Sequence, residues 1–110
     1  MATIKEAYCS PEVTKLLKEK GFDYQGFDYI DFEGEIIRQD RPTLQMAMKW
    51  LREVYKIYIV ISPVSNKGYG AILCDVGDFD DFNYIGETDY FFHPEEAVEA
   101  GIKYTLENLI

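Results

Sequence analysis

Histidine is nearly absent from this chain: His93 is the only one in 110 residues. That excludes a histidine-rich metal site. It leaves Cys74 with His93 as the one conceivable nucleophile–base dyad, with no motif around either residue to support it. Cys9 and Cys74 are the only cysteines, and the N-terminal MATIKEAYCS lacks the apolar stretch of a signal peptide. Free thiols in a cytoplasmic protein are the expectation. No apolar run approaches the ~20 residues needed to cross a bilayer, so no membrane partner is expected. Basic residues are missing from one long stretch, for none lies between Lys67 and Lys103. Residues 1–67 balance ten acids with ten bases, whereas residues 68–110 set ten acids against Lys103 alone and so carry the whole net charge of −9. Such a surface repels a phosphate backbone, which argues against direct nucleic-acid binding and for a protein partner with a basic surface, or for a solubilising role alone. GxSxG, P-loop and GxGxxG motifs are lacking too, so no cofactor is expected and an enzyme is the minority reading.

What the chain does have is apolar and aromatic material, 47% and 15% of its residues, with nine Tyr and seven Phe. That composition belongs to a folded domain, and the length suffices for one core without disulfide or metal staples. The organising stretch is Pro42 to Ile61, PTLQMAMKWLREVYKIYIVI. Leu44, Ala47, Met48, Leu51, Val54 and Tyr55 share one face of a helix, and Thr43 is its N-cap. The period then changes to the alternation of a strand through Ile57, Ile59 and Ile61, stopped by Pro63. Met46 and Trp50 lie four apart beside the main stripe. They either cover the rim of the core or form a partner-binding patch, Trp and Met being over-used at interfaces.

Elsewhere the spacing predicts a helix from Pro11 to about Lys20, capped by Ser10 and ended by Gly21, with Phe22 folding back on Leu17. Residues 1–9 read as a loose arm or short edge strand. Tyr24 to Arg38 reads as a hairpin turning at Glu33-Gly34, and aromatics on both of its faces leave the register poorly specified. Tyr69 to Val76 is the partner of the strand before Pro63. Residues 77–92 mix acids with aromatics and hold a short fifth strand around Asn83 to Ile85. A last helix runs from Pro94 or Glu95 to about Asn108, with Glu99 and Lys103 as an i, i+4 pair and small Ala97, Gly101 and Thr105 allowing close approach to a sheet. The order is α-ββ-α-ββ-α: one α+β domain, a mostly antiparallel four-stranded sheet with helices on one face.

Two clusters carry candidate chemistry. Asp75, Asp78, Asp80 and Asp81 invite a calcium reading, but from Asp78 the fifth position is Phe82 and the sixth Asn83, which breaks the EF-hand pattern. No metal site is expected. The aromatics of residues 75–92 either complete the core or form a binding face with anchors inside an acidic rim. Asp78, Phe79, Asp80, Asp81, Phe82 and Tyr84 are the candidate binding residues there, with Met46 and Trp50 as a second set.

Three strings, KLLKEKGFD (15–23), PTLQMAMKWLRE (42–53) and EEAVEAGIKYTLENLI (95–110), resemble those of small uncharacterised proteins from phages and integrated mobile elements of gut bacteria. The resemblance implies a small cytosolic, phage-derived protein with no assigned activity and no functional residues to carry over. More loosely, a hairpin followed by an EEA-type helix is similar to HicB-like antitoxins. The chain departs from these in lacking both the strand motif that normally precedes that helix and a DNA-binding appendage. The leading expectation is a non-catalytic protein-interaction module acting through the acidic, aromatic C-terminal half. A small-molecule or metal-binding domain with weak enzymatic activity is the alternative, and self-association through Trp50 and Met46 or through strand edges is a third reading.

Overall fold

A computed structural model describes residues 7–76 and 82–110. Helix α1 (Pro11–Glu19) starts where the Val13 amide donates to Ser10 Oγ at 3.2 Å, with Pro11 in the first turn. It closes in a Schellman motif, the Gly21 amide reaching Lys18 O at 3.1 Å and the Phe22 amide reaching Leu17 O at 3.0 Å. Gly21 takes φ +100°, a conformation that side-chain-bearing residues rarely adopt. Of the segment read as a loose arm or short edge strand, residues 1–6 lie outside the described residues, and Tyr8 forms an isolated antiparallel bridge with Thr43. The Cys9 amide donates to Pro42 O at 2.8 Å and the Leu44 amide to Ala7 O at 2.9 Å, which clips residues 7–9 to the entry of the second helix.

Strands β1 (Phe27–Ile30) and β2 (Ile36–Gln39) form the expected hairpin, with Ile30 opposite Ile36. The turn sets the register that the apolar pattern leaves open. The Asp31 carboxylate accepts from the amides of Glu33 and Glu35, both at 2.9 Å, and Gly34 sits at φ +84°. This hairpin is a two-stranded sheet of its own, so the four-stranded sheet expected from the element order is not formed.

Helix α2 (Leu44–Trp50) is capped by Thr43, whose Oγ1 accepts from the Met46 amide at 3.1 Å. It runs into a π-helical turn, Leu51–Tyr55, that ends on left-handed Lys56. The wider turn breaks the 3.6-residue period. Leu44, Ala47 and Leu51 stay buried as expected, but Val54 is 56% exposed rather than on the core stripe.

Strand β3 (Ile57–Val64) does not stop at Pro63, which pairs in register with Tyr69 of β4 (Gly68–Val76). The sheet order is β3-β4-β5, so β3 is an edge and Pro63 can sit there without breaking a ladder on its outer side. Strand β5 (Phe82–Glu87) is longer than the short fifth strand expected and pairs antiparallel with β4, with an irregularity at Leu73/Cys74.

Helix α3 (Pro94–Asn108) lies on this sheet. A Cβ at Gly101 would stand 3.2 Å from Ile59 Cγ2 and 3.3 Å from Ala71 Cβ, so the small residue is what permits the approach. The anticipated Glu99–Lys103 pair is replaced by contacts to α1. Lys103 Nζ meets Glu12 Oε1 at 2.9 Å, and Glu99 accepts from the Ser10 amide at 2.9 Å. Val13, Leu17, Leu44, Leu51, Ile102 and Leu106 fill the core where α1 and α2 pack against α3. The α+β class holds; the sheet is split into antiparallel units of two and three strands, and α3 is the helix that lies on the larger one, with α1 and α2 packed on α3.

Candidate functional site

The face of the β3–β4–β5 sheet away from α3 follows from strand alternation. Ala71 and Leu73 are buried toward α3, so Ile72 and Cys74 project to the opposite side. The register places Tyr58, Cys74 and Tyr84 in one row across the three strands, with Val60, Ile72 and Glu87 in the next. Tyr84 is 62% exposed and Val60 50% exposed, while Tyr58, Ile72 and Cys74 are half-buried. Desolvation, followed by the Glu87 carboxylate, pushes the Tyr84 hydroxyl above the usual tyrosine range. The result is an aromatic and aliphatic surface with an acid at its margin.

Of the candidate residues expected there, Asp78, Phe79, Asp80 and Asp81 lie outside the described residues, as does the side chain of Phe82, whose backbone opens β5. Tyr90 and Phe92 join Tyr84 as exposed aromatics. Tyr90 stands against Gly70 and 5.5 Å from Lys67 Nζ. Its neighbour Phe91 is tied to the sheet through paired amide bonds with Tyr69, at 2.7 and 2.8 Å.

Met46 and Trp50 are brought together at a different place. Trp50 packs edge-on against both Phe22 and Tyr55, each at 5.3 Å between ring centroids. With exposed Met46 it borders a depression of about 300 Å3 flanked by Lys49 and Glu53. Trp50 is thus chiefly a joint between α2 and the end of α1, with an accessible edge.

The two cysteines are free. Cys9 is fully buried, its Sγ donating to Thr43 O at 3.7 Å, and burial with the nearby Glu99 charge pushes its thiol up to about 12 against the opposing pull of Arg41. A thiol held neutral in this way is a poor nucleophile. Cys74 and His93 do not form the conceivable dyad. Cys74 lies five residues, roughly 16 Å, along β4 from the Tyr69–Phe91 bridge that leads to His93. The His93 imidazole instead stands 4.0 Å from Glu96 Oε1 at the start of α3. Among the described residues no group of three or more His, Cys, Asp or Glu could hold a metal ion, and no helix is long and apolar enough to cross a membrane.

One feature escaped the sequence reading. A trough of about 800 Å3 runs between α1 and the chain leading from β2 to α2. Lys15 and Lys18 line one wall, Arg38 and Arg41 the other, with Glu19 and Asp40 as the only acids among its lining residues. The charge balance of residues 1–67 conceals it. The signal was a pair of basic residues at i, i+3 in each segment, which only the fold brings face to face.

The molecule is therefore an α+β domain in which, among the described residues, α3 covers one face of the three-stranded sheet. No protein-family model, curated protein or solved structure matches the chain.

Proposed function

We propose that the protein is a non-catalytic, cytoplasmic interaction module of phage or mobile-element origin that binds a basic protein through the open face of the β3–β4–β5 sheet. The observation that carries this reading is the in-register row of Tyr58, Cys74 and Tyr84, backed by Val60 and Ile72, on the side that α3 leaves uncovered. Contiguous apolar surface of this kind marks contact sites, and aromatic side chains are favoured anchors. The ten acids of residues 68–110 supply complementarity to a basic partner and would speed and orient its approach. The mobile-element origin rests on the resemblance of the three helical strings.

The test is capture of proteins from host-cell lysate at low and high salt by the parent chain and by Val60→Asp and Tyr84→Ser variants, each confirmed folded by circular dichroism. The reading expects a basic protein retained at low salt, released at high salt, and lost with either substitution. Capture that survives both substitutions, or no capture by the parent, would overturn it.

A further inference from the structure

We propose that the trough between α1 and the β2–α2 connection binds a small polyanion of the phosphate-ester class. This site is separate from the sheet face and stands or falls independently of it. Acids outnumber bases almost two to one in this chain, yet among the described residues only three Lys or Arg side chains meet an acid: Lys103 with Glu12, Lys49 with Glu53, and Arg38 with both Asp28 and Asp40. Of those without an acidic partner, Lys15, Lys18 and Arg41 are set apart by lining one trough together. Like charges held close in this way repel, so the cluster is a local cost that a bound anion would remove.

The remaining charges sharpen the ligand class. Asp40 is already occupied by Arg38 Nε at 2.9 Å, which leaves Glu19 as the one acid opposing the three free cations. Arg38 is itself anchored, donating to the Gln25 carbonyl and to both aspartates, so its guanidinium is held in place beside the trough. Arg41 offers a planar fork suited to a tetrahedral oxyanion, and the two lysines add point charges from the opposite wall. A second observation points the same way. The trough continues into an open depression of about 520 Å3 that shares Lys18, Arg38 and Asp40 with it and is also lined by Tyr24. The half-buried Tyr24 has no hydrogen-bond partner for its hydroxyl, which a ligand oxygen would satisfy if the ring turned toward the depression.

Size and the far side of the molecule exclude the longer polyanions. A volume of about 800 Å3 falls in the range of small-molecule sites. A nucleic acid long enough to leave the trough would meet the acid-rich half of the chain, whereas a small anion stays within it.

The test is titration calorimetry of the whole chain with inorganic phosphate, pyrophosphate and a nucleoside triphosphate, alongside citrate and a polyglutamate peptide. Saturable binding of pyrophosphate or the triphosphate tighter than about 1 mM is expected, weakening as salt is added. Lys18→Glu and Arg41→Ala, each checked by circular dichroism, should weaken it on the order of tenfold or more, while Arg52→Ala, outside the trough, should not. Tighter binding of the triphosphate than of pyrophosphate would place the organic part in the Tyr24 depression, and equal binding would assign recognition to the phosphates alone; both support the site. No saturable heat from any phosphate, binding indifferent to Lys18→Glu and Arg41→Ala, citrate binding as tight as pyrophosphate, or polyglutamate binding without phosphate binding would each overturn it.

Discussion

The molecule contains two antiparallel hairpins, each followed by a helix, and they have opposite fates. The β3–β4 hairpin gains a third strand and is covered by α3, so that Leu73 and Ala71 are almost fully buried. The β1–β2 hairpin has four-residue strands and, among the described residues, no helix packed on it as α3 is packed on β4; its tip leaves Ile30, Phe32 and Ile36 in water, with Ile36 74% exposed. Helix α2, which follows it, packs instead against α3. Two-stranded ribbons are marginal alone, and these two differ both in cover and in their strands, which are longer and more apolar in β3 and β4. The first hairpin relies on its turn: Asp31 and Gly34 set its register, and Arg38 ties β2 back to Asp28 and the Gln25 carbonyl.

Substitutions in the two hairpins should therefore differ most in their effect on unfolding. Leu73→Ala, at a side chain with no exposure, should cost about 2–5 kcal/mol by denaturant titration. A loss under 1 kcal/mol would mean that α3 does not seal the sheet. Gly101→Val probes the same seal from the helix side and should cost about 1–3 kcal/mol, because the added carbon atoms meet Ile59 and Ala71. A stabilised variant would show instead that the helix can lift without penalty. Ile36→Ser in the uncovered hairpin should shift stability by no more than about 0.5 kcal/mol. A larger loss would show that this hairpin is covered in solution, which would erase the contrast.

Features written within a few residues were legible from sequence. Ser10, Gly21 and Phe22 define both ends of α1 locally, and Thr43 caps α2, because capping depends on amides two or three positions away. The closeness of α3 to the sheet was readable from Ala97, Gly101 and Thr105. Features set by distant partners were not. Val54 turns outward because a π-helical turn replaces the last α-helical one, and Pro63 stays in a strand because β3 is an edge. Lys103 forsakes Glu99, four residues away, for Glu12 on another helix. Tyr84 was identified as a candidate, and its neighbours Tyr58, Val60 and Ile72 were not, since only the register aligns them. The cationic trough joins segments 15–18 and 38–41, which the sequence presents as two unremarkable stretches of balanced charge.

The fasteners between α1 and α3 bear on how the chain is made. Glu99 on α3 receives the Ser10 amide across 89 positions, and Lys103, also on α3, reaches Glu12 on α1. During synthesis α1 emerges early, with the apolar side chains of Val13 and Leu17 that only later packing will bury. It must wait for α3 before these bonds and the shared core can form, so the domain closes late, and contacts of such long range slow that closure. Helix α1 is thus held by α3, made more than seventy residues later, and any ribosomal pause before residue 94 would leave a hydrophobic stripe open to chaperones.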